Sequence, residues 1–160
     1  HVEDAVRWAA ACVKGGEAAH LWIAKHGLRG PIKAGHSGAL AVIGFRPPKN
    51  VAATLTATPD SIRIGESVQL RATLSSSHRR AQPLLVDYVV HYVRKAKASG
   101  GKTFKWTTVK LGAGEEAQLT KTHGMKPTTI RALYPGKHRV QLMVGGEVLA
   151  ETTFELRPKR

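Results

Sequence analysis

The sequence predicts an α + all-β chain, in which a short helical segment is followed by a β-sandwich of immunoglobulin-like architecture. Two patterns and one boundary predict this fold class. Apolar side chains recur at helical spacing in residues 1–45, whereas residues 51–160 alternate between apolar and polar side chains as strands do. Between them, residues 46–50 contain two adjacent prolines, which exclude a helix and favour extended backbone. We therefore divide the chain into a helical part at 1–45, a linker at 46–50 and a β-sandwich at 51–160.

Three short helices are predicted in the first part. The first is indicated by four apolar residues at helical spacing, namely Val2, Val6, Ala9 and Val13. A second helix begins near Glu17 and should kink or stop early at Pro31, since proline lacks an N–H donor and clashes with the carbonyl oxygen four residues earlier. A third runs from about Ser37 to Ile43. Helices this short bury little surface alone, so they either pack on the second part or end a longer helical array, and we favour the array.

About seven strands are predicted in the second part. They are Ala53–Ala57, Ser67–Leu74, Leu84–Val93, Thr103–Leu111, Glu116–Thr120, His138–Val144 and Glu147–Leu156. The last two should form a hairpin at Gly145-Gly146, a common turn pair. The fourth should place Phe104, Trp106 and Thr108 on one face, because side chains alternate along a strand. This number of short strands with frequent turn signals is typical of an immunoglobulin-like sandwich. The cysteine pair and core tryptophan of antibody domains are absent, so only the architecture is implied.

The charge of the chain points to a polyanionic partner. The formal net charge is +14, which makes nucleic acid the first partner to consider and an anionic membrane surface the second. The sequence has no run of 18 apolar residues, so we expect no membrane span. The single cysteine, Cys12, excludes an intramolecular disulfide and fits a reducing compartment such as the cytoplasm.

The segment Lys121–Val140 is predicted to be a basic loop that contacts phosphate. It holds five lysines and arginines and two histidines but no carboxylate, and its prolines and glycines indicate turns. The candidate DNA-binding residues here are His123, Lys126, Arg131 and Lys137. A solvated connection between strands is the alternative, and Tyr134 is expected to tie a corner of the sandwich.

Two further groups of residues are candidates for DNA contact. The second predicted helix carries an aromatic and basic stripe: Trp22, His26, Arg29 and Lys33. An aromatic ring can lie against sugar or base while cations hold phosphates, although a solvated helix face would look the same. An acid-free basic run at 94–110 adds Lys102 and Lys105, with an expected flexible loop at Ala96–Gly101. The alternatives for this run are a solvated face or lysines that guard an edge strand.

No motif for catalysis, a metal or a cofactor is found in the sequence. It has no GxSxG, phosphate-binding loop or dinucleotide fingerprint, and its histidines are scattered. Asp87 lies in an apolar strand, where a buried structural partner of an arginine or tyrosine is expected rather than a catalytic acid. We therefore assign no catalytic residue and no metal ligand.

Three segments carry a family resemblance. Leu21–Phe45, LWIAKHGLRGPIKAGHSGALAVIGF, resembles the last HEAT-like repeat of bacterial DNA alkylation repair proteins. Leu84–Leu111 and Thr122–Glu151 resemble the C-terminal immunoglobulin-like domain of the AlkC-type members of that group. The resemblance covers nearly the whole chain and is weakest over His1–His20.

The resemblance implies a 3-methyladenine-type DNA glycosylase of base excision repair, which binds double-stranded DNA containing alkylated bases. In the family the catalytic acid lies in upstream repeats, and neither Glu3, Asp4 nor Glu17 matches it. We therefore expect a DNA-binding C-terminal part of such an enzyme, monomeric and bound to the bacterial nucleoid. Two alternatives remain: a basic immunoglobulin-like module that binds a protein partner, and an autonomous enzyme that uses Asp87 or Glu3.

Overall fold

The computed structural model describes residues 1–95 and 101–160, and within them four helices are followed by eight strands. The helices are α1 (Val2–Lys14), α2 (Ala18–Gly27), α3 (Arg29–Lys33) and α4 (Ser37–Val42). The strands are β1 (Val51–Thr58), β2 (Ser61–Arg63), β3 (Ser67–Ser76), β4 (Gln82–His91), β5 (Lys102–Leu111), β6 (Glu116–Gly124), β7 (Gly136–Val144) and β8 (Glu147–Arg157). The predicted α + all-β class is confirmed. Of the loop expected at Ala96–Gly101, all but Gly101 lies outside the described residues.

The second predicted helix is divided into α2 and α3, with Leu28 between them. Pro31 accounts for the early stop, because it cannot donate to the carbonyl of Gly27, where α2 ends. Pro31 is instead the third residue of α3, in a first turn whose N–H groups have no partner inside the helix. The helices pack on one another through a small apolar cluster centred on Ala9, Ala24, Leu28 and Ala39.

The strands form two sheets with an apolar core between them. One sheet has the order β1-β3-β6, and the other has the order β2-β8-β7-β4-β5. All pairs are antiparallel except β2 with β8, and β5 is an edge strand. Inward-facing residues such as Leu70, Val86 and Leu142 are fully buried in the core. The β7–β8 hairpin turns at Gly145 and Gly146, both with positive φ, as predicted.

The predicted strands begin and end within two residues of their predicted bounds, except at the end of β6, and one short strand was not predicted. Strand β6, predicted as Glu116–Thr120, continues to Gly124 because it stays paired with β3 as far as Ser67. The basic segment predicted as one loop from Lys121 to Val140 therefore belongs to strands at both ends, and only residues 125–135 connect β6 to β7. The short strand β2 was not predicted, since its three residues carry too little pattern.

A β-bulge in β5 overturns the predicted face of Thr108. Val86 pairs with Thr107 but Asp87 pairs with Lys105, so Trp106 is an extra residue on β5. Beyond the bulge the alternation is reversed. Trp106 packs against the core, whereas Thr108 lies on the opposite face of the sheet with Lys105, where both line a cavity.

The helices pack against the outer face of the five-stranded sheet. The hydroxyl of Thr103 on β5 donates to the carbonyl oxygen of Lys33 at 3.2 Å. Gly35 approaches the β7–β8 hairpin so closely that a Cβ there would lie 2.8 Å from the carbonyl oxygen of Gly146. The segment 46–50 is also held, since the backbone N–H of Lys49 donates to the side chain of Gln82 at 2.9 Å. The helices therefore contact the sheet, while the division into domains stays a prediction.

In the part of the chain that the structure describes, no helix is long and apolar enough to cross a membrane.

Candidate nucleic-acid interface

The aromatic and basic stripe predicted on the second helix is exposed. Trp22 is 61% exposed, and its ring stacks on His26 with the ring centroids 3.9 Å apart. The Nδ1–H of His26 donates to the carbonyl oxygen of Trp22 at 3.0 Å, which fixes the imidazole beside the indole. Arg29 and Lys33 are also exposed, although they belong to α3. The result is an aromatic platform with cations on the following helix, a combination that suits a nucleic-acid strand.

Helix α3 brings these cations to the edge strand β5. A cavity of about 540 Å³ lies between the helices and the outer face of the sheet. Its basic residues come from both parts of the chain, with Lys25, Arg29 and Lys33 on the helices and Lys105 on β5. The tertiary structure thus joins two candidate groups that are far apart in sequence.

Asp87 lies in the same cavity and is only 8% exposed. Burial raises the pKa of its carboxyl to about 6, and the nearby charges of Lys105 and Lys33 partly offset that rise. Among the described residues, no side-chain hydrogen bond and no ion pair within 4.0 Å engages this carboxyl group. The prediction that Asp87 is buried is therefore right, but the predicted arginine or tyrosine partner is wrong.

A second basic group lies at the end of β4, around Arg131. The Nη1–H of Arg131 donates to the hydroxyl of Tyr92 at 3.2 Å, and the guanidinium carbon lies 4.5 Å from the centre of the Tyr92 ring. Tyr92 in turn contacts Nε2 of His123 at 3.1 Å, and Nδ1 of His123 contacts the hydroxyl of Tyr88 at 2.9 Å. Arg131 is therefore held by a hydrogen-bond network that reaches into the core of the sandwich.

His123 is a member of this network and not a surface residue. It is 6% exposed because it lies opposite Val68 of β3, on the inward face of β6. Burial lowers the pKa of His123 to about 4, and Arg131 lowers it further in the same direction, so the imidazole is neutral at pH 7. The expected contact between His123 and DNA is thus incompatible with its position. The strand was predicted to end before this residue, which is why its burial was missed.

The network determines the proton positions of the neutral imidazole. Tyr88 is buried and burial raises its pKa to about 12, so its hydroxyl proton needs an acceptor inside the protein. We infer that Tyr88 donates to Nδ1 of His123 and that Nε2–H donates to the oxygen of Tyr92. The two lone pairs of Tyr92 then accept from His123 and from Arg131.

The remaining predicted cations are exposed near the same end of the sandwich. Lys126 is the second residue of the β6–β7 connection and Lys137 the second residue of β7. Lys102 begins β5, with its Nζ 5.2 Å from the centre of the Phe104 ring. Tyr134 is half-buried and lies 6.0 Å from Nζ of Lys95. Of these residues, Tyr134 and Lys95 line the same pocket as Arg131.

Contacts at the beginning of β5 link the helices to the buried network behind Arg131. Lys33 accepts the hydrogen bond of Thr103, which is the neighbour of Lys102 in sequence. The next residue, Phe104, packs on His123 with the ring centroids 4.9 Å apart, and His123 leads through Tyr92 to Arg131. Four ion pairs within 4.0 Å occur in residues 1–95 and 101–160, and none includes a predicted DNA-binding lysine or arginine. These cations are therefore free to meet phosphate.

Two residues of this surface were not singled out from the sequence. Lys25 could have been found, because it precedes Arg29 and Lys33 at intervals of four residues. Tyr92 carries no such signal, since its role depends on its contact with Arg131, which lies in a different connection.

Comparisons with known proteins show which families and solved structures this chain is similar to. Residues 51–158 match the family described as "Uncharacterised protein YhaZ, C-terminal Ig-like domain". The uncharacterized protein YhaZ of Bacillus subtilis (strain 168) is 29% identical over 136 residues, which cover 84% of this chain and 38% of that protein. The alkylpurine DNA glycosylase AlkC of Pseudomonas fluorescens, solved bound to DNA containing an abasic site analog, superposes with a TM-score of 0.84.

The similarity to AlkC extends over helices and sandwich together. It covers 94% of this chain at 34% identity, but only 43% of the AlkC chain. The chain thus spans less than half of either relative. A β-glucosidase of Listeria innocua also matches, with a TM-score of 0.56 and 17% identity over 68% of this chain and 16% of that chain, and this likeness concerns the fold alone.

Proposed function

The chain belongs to the family of YhaZ C-terminal immunoglobulin-like domains, and we propose that it is a DNA-binding portion of an alkylpurine DNA glycosylase. In this proposal the chain holds the backbone of double-stranded DNA as a monomer during base excision repair at the bacterial nucleoid. The acid that assists cleavage of the N-glycosidic bond is supplied by residues outside these 160.

One observation supports the proposal: the cations of α3, of β5 and of the segment after β6 form no ion pair within 4.0 Å among the described residues. Arg29 and Lys33 are on α3, Lys105 and Lys102 are on the edge strand, and Arg131 is held at the end of β4. The 34% identity to a glycosylase that was solved on DNA supports the same assignment. A surface of this kind binds phosphates without reading sequence.

We assign each predicted residue a role in this proposal. The cations Arg29, Lys33, Lys102, Lys105, Lys126, Arg131 and Lys137 contact phosphates, and the stacked pair Trp22 and His26 lies against sugar or base. His123 supports Arg131 from the interior and is removed from the set of DNA contacts. Lys25 is added because it lines the same cavity as Arg29 and Lys33.

Salt dependence tests the proposal most directly. If about six phosphates are neutralised, the logarithm of the binding constant should fall with the logarithm of salt concentration with a slope near −5. The double variant Arg131→Ala/Lys137→Ala should bind duplex DNA more weakly and reduce that slope by about 2, since each lost phosphate contact changes it by about 1.

A matched control removes the same charge elsewhere. Arg79 and Arg80 are exposed in the connection before β4, at the opposite end of that strand from Arg131. The variant Arg79→Ala/Arg80→Ala should keep the wild-type slope. Equal losses in the two double variants would show that net charge, and not this surface, drives binding. Binding that does not depend on salt would favour the alternative of a protein-interaction module.

A further inference from the structure

The cavity between the helices and the five-stranded sheet has the composition of a small-ligand site. Its volume of about 540 Å³ lies within the usual range of roughly 300–1,000 Å³ for such sites. Its lining combines a basic rim, two threonine hydroxyls and an apolar wall with one carboxylate, Asp87. Phosphate binding to duplex DNA needs the cations alone and leaves the carboxylate and the apolar wall without a role.

The carboxylate is the unusual group. Asp87 is only 8% exposed and lines the cavity. In the described part of the chain, its carboxyl group has no side-chain hydrogen-bond or ion-pair partner. The bulge at Trp106 sets Lys105 opposite Asp87, yet the two charged groups stay more than 4.0 Å apart. Its carboxyl oxygens are not among the fully buried atoms that lack a partner, so they are reached from the cavity, where a ligand that donates a hydrogen bond can replace water.

The other walls define what else the ligand carries. Arg29, Lys33 and Lys105 offer N–H donors for an anionic group such as a phosphate. Ile32 and Phe45 present an apolar surface on which a flat ring can lie. An acidic peptide fits poorly, because its carboxylates would approach Asp87 and repel it.

We propose that this cavity binds a single nucleotide with an amino-bearing base. The phosphate lies on the rim formed by Arg29, Lys33 and Lys105, the base lies on the apolar wall, and its exocyclic amino group donates to Asp87. Acceptance of a hydrogen bond from a base amino group is a known use of aspartate in nucleic-acid recognition. The inference goes beyond the proposed grip on duplex DNA, in which the bases stay paired. A free mononucleotide and an unpaired nucleotide of a DNA strand present the same chemistry.

Two nucleotides that differ only in the base provide the test. Deoxycytidine monophosphate carries an exocyclic amino group and an N3 acceptor where deoxyuridine monophosphate carries a carbonyl oxygen and an N3–H, and the sugar and phosphate are the same. Titration at pH 8, followed by NMR or calorimetry, should show that the cytidine nucleotide binds at least about tenfold more tightly, as one selective hydrogen bond provides. Short oligonucleotides of the same two bases form the second arm and show whether a strand is preferred to the free nucleotide.

Two variants assign the groups. Asp87→Asn should reduce the preference to less than about twofold, because an amide can accept from one base and donate to the other. Lys105→Gln should weaken both nucleotides alike, whereas Lys110→Gln, an exposed change on the same strand outside the cavity, should leave both unchanged. Equal binding of the two nucleotides by the wild type, or a preference that survives in Asp87→Asn, overturns the inference. Duplex affinity measured on the same samples shows separately whether the proposed function stands.

Discussion

Replacing Asp87 by asparagine should stabilise the fold at high pH. Burial raises the pKa of this carboxyl from 3.8 to about 6, so the folded state holds its proton more tightly than the unfolded state does. Above pH 6 both states are ionised, and the charge inside the cavity costs about 3 kcal/mol of folding free energy. Below about pH 4 both states are protonated and this cost vanishes. The contribution of Asp87 to stability is therefore lost as the pH rises from about 4 to 6.

Asparagine has nearly the same shape and no charge. Its buried amide also lacks a partner, which offsets part of the gain, so we expect Asp87→Asn to add about 1–2 kcal/mol at pH 8. At pH 4 the gain should disappear. Urea denaturation at both pH values measures the difference, and fluorescence of the half-buried Trp106 reports the loss of the core.

The control is Asp60→Asn, an exposed change in the connection between β1 and β2. Because this side chain is exposed, the change should not stabilise the protein at pH 8. The reasoning fails if Asp87→Asn destabilises the protein at pH 8, or if its effect is the same at pH 4 and pH 8. A stabilising result would mean that the chain keeps a carboxylate that weakens its fold, which is common at sites retained for binding.

Two further predictions concern the network behind Arg131. Tyr92→Phe keeps the ring but removes the acceptor of both Arg131 and His123, so it should cost about 1–2 kcal/mol of stability and up to about tenfold in duplex affinity. Tyr134→Phe, in the β6–β7 connection that carries Arg131, should change neither. Burial lowers the pKa of His123 from 6.5 to about 4, so the folded state binds this proton less tightly than the unfolded state does. The contribution of His123 to stability should therefore fall by about 3 kcal/mol as the pH drops from 6.5 to 4. Denaturation of His123→Gln over that range checks this second effect, and an unchanged pH profile in the variant would contradict it.

Part of the candidate interface could be predicted from the sequence. Cations that lie in acid-free runs, such as Lys102 and Lys126, are exposed as expected, because lysine is seldom buried without a partner. His123 shows the limit of that reasoning. A histidine in a basic run looks like a surface residue, and only its pairing in β6 turns it inward.

Local patterns of the sequence determined the fold class, the stop of α2 before Pro31 and the hairpin at Gly145 and Gly146, because each depends on residues within a few positions of one another. Only the tertiary structure decided which face Thr108 occupies, since a bulge shifts register against a partner strand that the sequence of β5 does not contain. It also decided that helical cations share a cavity with Lys105 and a buried carboxylate. That arrangement comes from the packing of α3 on the sheet, and the spacing of residues along the chain does not predict it.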